Sequence, residues 1–380
     1  MQTWFGLKAS HVDFTIANDT DAGLFFVRHE LSETLQSILR RSFRTGSPPK
    51  FVLFGDWGVG KTHTMRHVQY VIEHTAEFKA RVVFVELPDI SSKSRFEVAH
   101  GALLDALSFD VARLWVQEYQ RKHGQKAHEN IREFTQSGDI ASAFGNLGAF
   151  GDISRVAWDW LRGVELSSTE SRNAGLPSAV TQSGQLVRIL QMFGRLCQDV
   201  EENFLVLMLD EATKLSYISN QDAINHWVNA FKILADDQTK EVGFIVSGSW
   251  NDPDDMALPL QDLQVRSRFG EHNYIRLPTF SPSETEIFMK ALLAEWIDPT
   301  QRQELRSDFS ADADQEEITN ETFPFTVDGV VSAAKYATRN GGYTTPRDIQ
   351  KTLDDFANRA IDDKRHIISS AYLMSLINST

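Results

Sequence analysis

The sequence predicts an α/β fold with a parallel five-stranded sheet, and three of its features lead to this expectation. Four of five short apolar or β-rich segments are nearly unbroken hydrophobic runs, as expected for strands that are covered on both faces. The residues between them have helical periodicity, which is typical of parallel strands joined by helical crossovers. The first run leads directly into a loop with three glycines. The predicted strands are residues 51–54, 81–87, 204–209, 243–246 and 273–277.

The overall composition is that of an ordinary soluble globular protein. Of the 380 residues, 42% are hydrophobic and 24% are charged, and a chain of this length normally divides into domains. The net charge of −14 argues against a surface built for non-specific nucleic-acid or membrane binding, although it leaves room for a local basic groove. We find no signal pattern and no apolar run long enough to cross a bilayer, so we expect no membrane partner and a cytoplasmic location. The single cysteine, Cys197, indicates a reducing compartment, and we expect it to be buried in a helix.

The first fifty residues read as a leader followed by a helix. Apolar residues recur at helical spacing over residues 30–39, and Gly46-Ser47-Pro48-Pro49 ends this helix. The first predicted strand then begins at residue 51.

A long helical insertion separates the second and third predicted strands. Residues 88–202 are mostly helical in period and far too long for a single crossover. We expect Trp158 and Trp160 to belong to a helix core, and residues 141–151, with three glycines, to form a flexible apolar loop. One stretch interleaves basic and aromatic residues, as a groove for single-stranded nucleic acid does, but a solvated amphipathic helix is the more common structure for such a pattern. Its members are Arg113, Trp115, Tyr119, Arg121, Lys122 and Lys126.

The last hundred residues are predicted to be helical. Ser281 as N-cap, Pro282 in the first turn and Glu284 as the closing residue of a capping box give a nearly complete helix start. The acidic stretch 308–321 is expected to be a surface loop or a short helix.

The loop after the first strand has the spacing of a phosphate-binding loop. In FVLFGDWGVGKTHTM, residues 51–65, the pattern G-x-x-x-x-G-K-[ST] is met by Gly55, Gly60, Lys61 and Thr62. Glycines let successive N–H groups turn toward a phosphate, the lysine reaches the β- and γ-oxygens, and the threonine hydroxyl is offered to Mg²⁺. The alternative is a plain glycine-rich turn, against which the preceding strand argues. The residues predicted to contact ATP are Gly55, Asp56, Trp57, Gly58, Val59, Gly60, Lys61, Thr62 and His63.

Two carboxylates follow the third predicted strand, and neighbouring parallel strands end in one crevice. Asp210 is therefore predicted to hold Mg²⁺ with Thr62, and Glu211 to orient and deprotonate the attacking water. An ordinary helix N-cap is the alternative. The fourth strand ends in the polar residues Ser247, Ser249 and Asn251, one of which is expected to reach the γ-phosphate or the water if this strand lies between the first and the third.

The order of these motifs resembles the AAA+ ATPases, in particular the initiator-type (Orc/Cdc6-like) branch and bacterial transposition and defence ATPases. Phe26-Val27-Arg28-His29-Glu30 resembles the segment that packs on the adenine side, which implies nucleotide contacts for Val27 and Arg28. The segment 249–252 resembles sensor 1, with Asn251 at its polar position. The segment 265–269 resembles the arginine-finger segment, and 342–347 resembles sensor 2.

The resemblance implies roles for three arginines. Arg268 or Arg266 would reach the nucleotide of a neighbouring subunit, and Arg347 would reach the phosphates from the lid, so that each stabilises charge in phosphoryl transfer. A finger in trans implies a homo-oligomer. The alternative for Arg266 and Arg268 is a pair of surface salt bridges.

The predicted domains are residues 1–50, a nucleotide-binding core at 51–280 with its insertion at about 90–200, and a helical lid at 281–380. The chain ends soon after the lid, so we expect the winged-helix DNA-binding domain of initiators to be missing. Two functions stay open. The first is an oligomeric Mg²⁺-dependent ATPase that acts on or regulates DNA in transposition, replication loading or phage defence. The second is a nucleotide-gated switch that controls a partner effector protein without direct DNA contact. A small-molecule kinase is a weak third.

Overall fold

A computed structural model gives the protein as two compact units, and it describes residues 1–11, 14, 19–25, 27–309, 313–339 and 342–378. The first unit comprises Met1–Glu33, Asp56–His67 and Leu277–Thr380. The second comprises Thr34–Gly55 and Val68–Arg276.

The second unit contains an all-parallel sheet of five strands, as predicted. The strands are β1 (Lys50–Gly55), β2 (Ala80–Glu86), β3 (Phe204–Asp210), β4 (Val242–Ser249) and β5 (Tyr274–Arg276). Their order is β2-β3-β4-β1-β5, so the fourth strand lies between the first and the third. Each predicted strand is present, within three residues of its expected bounds.

The register of the sheet brings the polar strand ends to one edge. Gly55 pairs with Ser249 across β1 and β4, and Leu209 pairs with Val246 across β3 and β4. The strands read as apolar runs because both of their faces are covered: every residue of β1 is buried, as is each residue of β3 after the first.

The helices account for most of the remaining described chain. In chain order they are α1 (Gln2–Phe5), α2 (His29–Arg44), α3 (Lys61–His74), α4 (Glu97–Leu107), α5 (Phe109–His123), α6 (Lys126–Thr135), α7 (Gly138–Leu147), α8 (Asp152–Leu161), α9 (Ser168–Ala174), α10 (Ser183–Glu201), α11 (Gln221–Ala235), α12 (Leu258–Gln261), α13 (Leu263–Phe269), α14 (Pro282–Trp296), α15 (Pro299–Asp308), α16 (Val327–Ala337), α17 (Pro346–Asp362) and α18 (Ser370–Asn378). Within the described ranges, no helix is long and apolar enough to cross a membrane.

The predicted helical insertion is confirmed as the run from α4 to α10. Trp158 and Trp160 are buried in α8, and Cys197 is buried in α10, as expected. The basic and aromatic stretch lies mainly on α5, where Trp115 and Tyr119 are buried. Because buried rings cannot stack on bases, the amphipathic-helix interpretation is the correct one.

The expected flexible loop at residues 141–151 is wrong for most of its length. Ser137 caps α7 by accepting a hydrogen bond from the backbone N–H of Ile140. Ala141, Phe144 and Leu147 then form a buried face at helical spacing, and this packing outweighs the cost of Gly145 in the helix. Only the last four residues of that range lie outside the helix.

The first unit has its own core, formed by the N-terminal segment and the helices after residue 280. Phe5 and Leu7 pack with apolar residues of α14, α16 and α17. The capping box is present: Ser281 and Glu284 satisfy each other's backbone N–H groups at the start of α14. In the acidic stretch, residues 310–312 lie outside the described residues, and the described part beyond α15 is a loop in which Glu316 accepts a hydrogen bond from the N–H of Ser370.

Candidate nucleotide-binding site

The predicted phosphate loop joins the end of β1 to the start of α3. Gly58 and Gly60 have φ values of 81° and 89°, which side-chain-bearing residues rarely adopt, so glycine is needed at both positions. The Lys61 ammonium is buried and donates a hydrogen bond to the Asp56 carbonyl oxygen at 2.7 Å, which closes the loop on itself. Thr62 is exposed in the first turn of α3, where helical N–H groups have no partner within the helix. The loop therefore has the form of an anion cradle.

The start of α17 lies directly against this loop, within the same unit. The backbone N–H of Arg347 donates to the Gly58 carbonyl oxygen at 3.4 Å. The Arg347 guanidinium carbon lies 3.8 Å from the centroid of the Trp57 ring. The structure thus brings the arginine of the sensor-2-like segment to the phosphate loop. The contact between Arg347 and Trp57 was not predicted. Its only sequence signal is an aromatic residue in the middle of a glycine-rich loop.

The N-terminal segment covers one side of α3. The ring of His63 hydrogen-bonds the Leu24 carbonyl oxygen at 2.7 Å, and Phe25 stacks on His67 with 4.5 Å between ring centroids. Burial lowers the pKa values of both histidines, which favours neutral rings here.

In the segment that resembles the adenine-side motif, Val27 has an unusual backbone conformation and Arg28 is buried. Phe26 lies outside the described residues. Val27 has a φ of 68°, which is strained for a β-branched residue. Arg28 is buried, donates to the Pro278 carbonyl oxygen at 2.7 Å and stacks over Phe280, and burial lowers its pKa to about 10. Arg28 is thus already bound to the protein through its guanidinium.

The predicted Mg²⁺ ligand Asp210 and the predicted catalytic residue Glu211 lie where β3 ends, in the other unit. Asp210 is 3% exposed and accepts hydrogen bonds from the Ser247 hydroxyl and, at 2.9 Å, from the Glu211 N–H. Glu211 has a left-handed backbone, with φ 58° and ψ 31°, and such strain in a non-glycine residue is typical of functional sites.

The three polar candidates at or just beyond the end of β4 have different positions. Ser247 is fully buried beside Asp210 and therefore fixes the orientation of that carboxylate. The backbone N–H of Ser249 donates to the Thr213 hydroxyl at 2.5 Å. Asn251 is exposed, beyond the end of the strand.

Both arginines of the finger-like segment form ion pairs within the chain. Arg266 pairs with Asp254 at 2.7 Å, and Arg268 pairs with Asp236 at 3.0 Å. Asp236 belongs to the turn after α11, and this turn also binds Lys50 of β1. Lys50 is buried and donates hydrogen bonds to the carbonyl oxygens of Asp236 and Thr239. Burial lowers its pKa to about 8.

No family model and no curated protein matches the sequence. Among solved structures, the Aeropyrum pernix ORC1 protein in complex with DNA is 13% identical with a TM-score of 0.46, over 94% of this chain and 66% of that one. The Aeropyrum pernix ORC2 protein in ADPNP–ADP complexes is 13% identical with a TM-score of 0.49, over 93% and 68%. The Thermotoga maritima RuvB Holliday junction branch migration motor is 12% identical with a TM-score of 0.41, over 93% and 70%.

The chain spans about two thirds of the length of these proteins, and the similarity assigns no role to any residue here. With a phosphate loop after the first strand of an all-parallel sheet ordered β2-β3-β4-β1-β5, the chain has the α/β fold of the P-loop NTPases.

Proposed function

We propose that the protein is an AAA+ ATPase of the initiator type that binds and hydrolyses ATP with Mg²⁺. The observation that carries this proposal is the phosphate loop between β1 and α3, in a sheet whose third strand ends in Asp210 and Glu211. A glycine-rich turn alone would not require Lys61 to be buried. It would also not require Glu211, at the end of β3, to adopt a left-handed backbone conformation.

The loop residues bind the triphosphate. The N–H groups of residues 56–62 and the positive end of α3 attract the anion, and Lys61 exchanges its bond to the Asp56 carbonyl for the phosphate oxygens. Arg347, held at the loop, adds a second cation where charge develops during phosphoryl transfer.

The carboxylate residues divide two tasks. Asp210 and the Thr62 hydroxyl would each offer an oxygen ligand, the type that Mg²⁺ prefers. When bound, Mg²⁺ neutralises charge on the phosphate oxygens. Asp210 stays oriented because Ser247 and the Glu211 N–H donate to it. Glu211 orients the attacking water and accepts its proton, and Asn251 is the candidate polar sensor.

We further propose that the protein forms a homo-oligomer in the cytoplasm and acts on or regulates DNA. Arg268, or else Arg266, serves the nucleotide of a neighbouring copy, since each lies at the surface on the short helix α13.

A nucleotide-gated switch that controls a partner effector protein is the second candidate. It is favoured by the net charge of −14 and by the burial of Trp115 and Tyr119, which removes the nucleic-acid groove considered for the insertion. DNA-stimulated ATP turnover supports the first function. ATP-dependent assembly with an effector, unaffected by DNA, supports the second.

Substitutions test the ATPase itself. Lys61→Ala is expected to abolish ATP binding or turnover, and Glu211→Gln to bind ATP without hydrolysing it. Mixing Arg268→Ala with Glu211→Gln protein should restore some turnover, because mixed interfaces then contain one intact site. Wild-type turnover in Lys61→Ala would overturn the proposed function. No recovery in confirmed mixed assemblies would place Arg268 outside the neighbouring site.

A further inference from the structure

The indole of Trp57 lies in the middle of the phosphate loop with two cations over it. Its side chain is 60% exposed. The Arg347 guanidinium carbon is 3.8 Å from the ring centroid, and the Lys351 ammonium is 5.9 Å from it. Arg347 and Lys351 are one turn apart on α17 and therefore project from the same face of that helix.

This arrangement is more than a chance surface contact. Two like charges one turn apart repel each other, and an aromatic face with its negative charge density offsets that repulsion. Tryptophan is the strongest of the aromatic residues in this role. Among the described residues, no carboxylate forms an ion pair with Arg347, so the indole is the charge-attracting group that the structure gives to its guanidinium.

The neighbouring glycine makes the contact possible. A Cβ atom on Gly58 would lie 3.2 Å from the Arg347 Cβ and 3.0 Å from the Thr345 hydroxyl oxygen. Because Gly58 has no side chain, the loop backbone accepts the Arg347 N–H, and the first turn of α17 meets the loop at Trp57.

We propose that Trp57 is a positioning residue that holds the Arg347 guanidinium at the phosphate loop. The proposal rests on the proposed function, because it requires that Arg347 acts on ATP phosphates. An unrestrained arginine has many rotamers, and fixing one of them before the reaction removes an entropic cost from the transition state. Trp57 thus acts through Arg347 and makes no contact with the reacting atoms itself.

Steady-state ATP turnover with Mg²⁺ tests this role in four variants: Trp57→Ala, Trp57→Phe, Arg347→Ala and the double alanine variant. Trp57→Ala is expected to lower kcat by about 3- to 30-fold, the range of a cation–π contact, and to leave KM within about threefold. Trp57→Phe retains an aromatic face and should recover kcat to within about threefold of wild type. The double variant should be no slower than Arg347→Ala, because both changes remove the same interaction.

Phe150→Ala is the matched control. Phe150 is 87% exposed and also carries a guanidinium over its ring, that of Arg113 at 5.3 Å, but it belongs to the helical insertion. We expect wild-type turnover in this variant.

The outcomes separate this inference from the proposed function. Wild-type kcat in Trp57→Ala, together with a loss in Arg347→Ala, overturns the positioning role and leaves the ATPase intact. Equal losses in Trp57→Ala and Trp57→Phe overturn it as well, since an aromatic face then fails to restore function. An unchanged melting temperature in each variant assigns the loss to catalysis, and a fall in kcat that follows a fall in melting temperature overturns the positioning role.

Discussion

Replacing Gly58 by alanine tests whether the contact between the phosphate loop and α17 matters for ATP binding. The φ of 81° costs a residue with a side chain roughly 1–2 kcal/mol. The new methyl group would also lie 3.0 Å from the Thr345 hydroxyl oxygen and 3.2 Å from the Arg347 Cβ, and relieving such crowding costs about 1–3 kcal/mol. We expect the unliganded loop of the variant to relax out of this conformation, so ATP binding has to restore it, and the combined strain then lowers ATP affinity by roughly 30-fold or more.

Calorimetric titration with Mg²⁺ and ATP in a Glu211→Gln background measures this loss without turnover. Gly60→Ala is the first control, because its φ is 89° but the nearest atoms to its Cβ are 4.0 Å away, so it should lose only the backbone part. Gly46→Ala is the second, with a φ of 66° in open space outside the loop, and should bind ATP normally. Affinity in Gly58→Ala that equals the Gly60→Ala value would show that the loop does not depend on α17.

Three further predictions concern polar groups that are buried or partly buried. Burial lowers the pKa of His100 to about 4, so the stability that the neutral ring contributes is fully present above pH 6.5 and falls by about 1.4 kcal/mol per pH unit below it. When the pH is lowered from 7.5 to 5, the unfolding free energy measured with urea should therefore fall by about 2 kcal/mol more in the wild type than in His100→Gln. Equal decreases in the two proteins would contradict this. Glu201→Gln breaks a bidentate pair with Arg81 at 2.8 and 3.1 Å and should lower unfolding free energy by about 1–3 kcal/mol, whereas the exposed Glu202→Gln should not. Ser247→Ala removes the hydroxyl that donates to the strand-end aspartate and should lower kcat for ATP about 10-fold or more, and unchanged turnover would rule out this role.

The sheet could be predicted from the sequence because its strands are covered on both faces. A residue such as Val52 in β1 or Leu207 in β3 is buried whichever way it points, so the strand appears as an apolar run without alternation. The helix start at Ser281 could be predicted for a different reason, since a capping box is satisfied by residues three positions apart. Both signals are local, and local signals are what a single sequence contains.

The features that were missed depend on contacts between distant parts of the chain. The glycines of residues 141–151 indicate a loop, yet tertiary packing of Phe144 and Leu147 keeps most of that segment helical. The stack of Arg347 on Trp57 joins residues from opposite ends of the sequence. The contact of Ser247 with Asp210 depends on the position of β4 beside β3, which no local signal gives.

The ion pairs of Arg266 and Arg268 are compatible with a role for either residue in a neighbouring subunit. Each pair is partly exposed, and such pairs contribute about 0–1 kcal/mol because solvent screens them and ordering two long side chains costs entropy. An arginine finger that stabilises the transferring phosphoryl group increases kcat by about 10³- to 10⁵-fold, which corresponds to roughly 4–7 kcal/mol. The cost of giving up the Asp236 pair is therefore small beside that transition-state stabilisation, so the pair does not argue against the proposed finger role of Arg268.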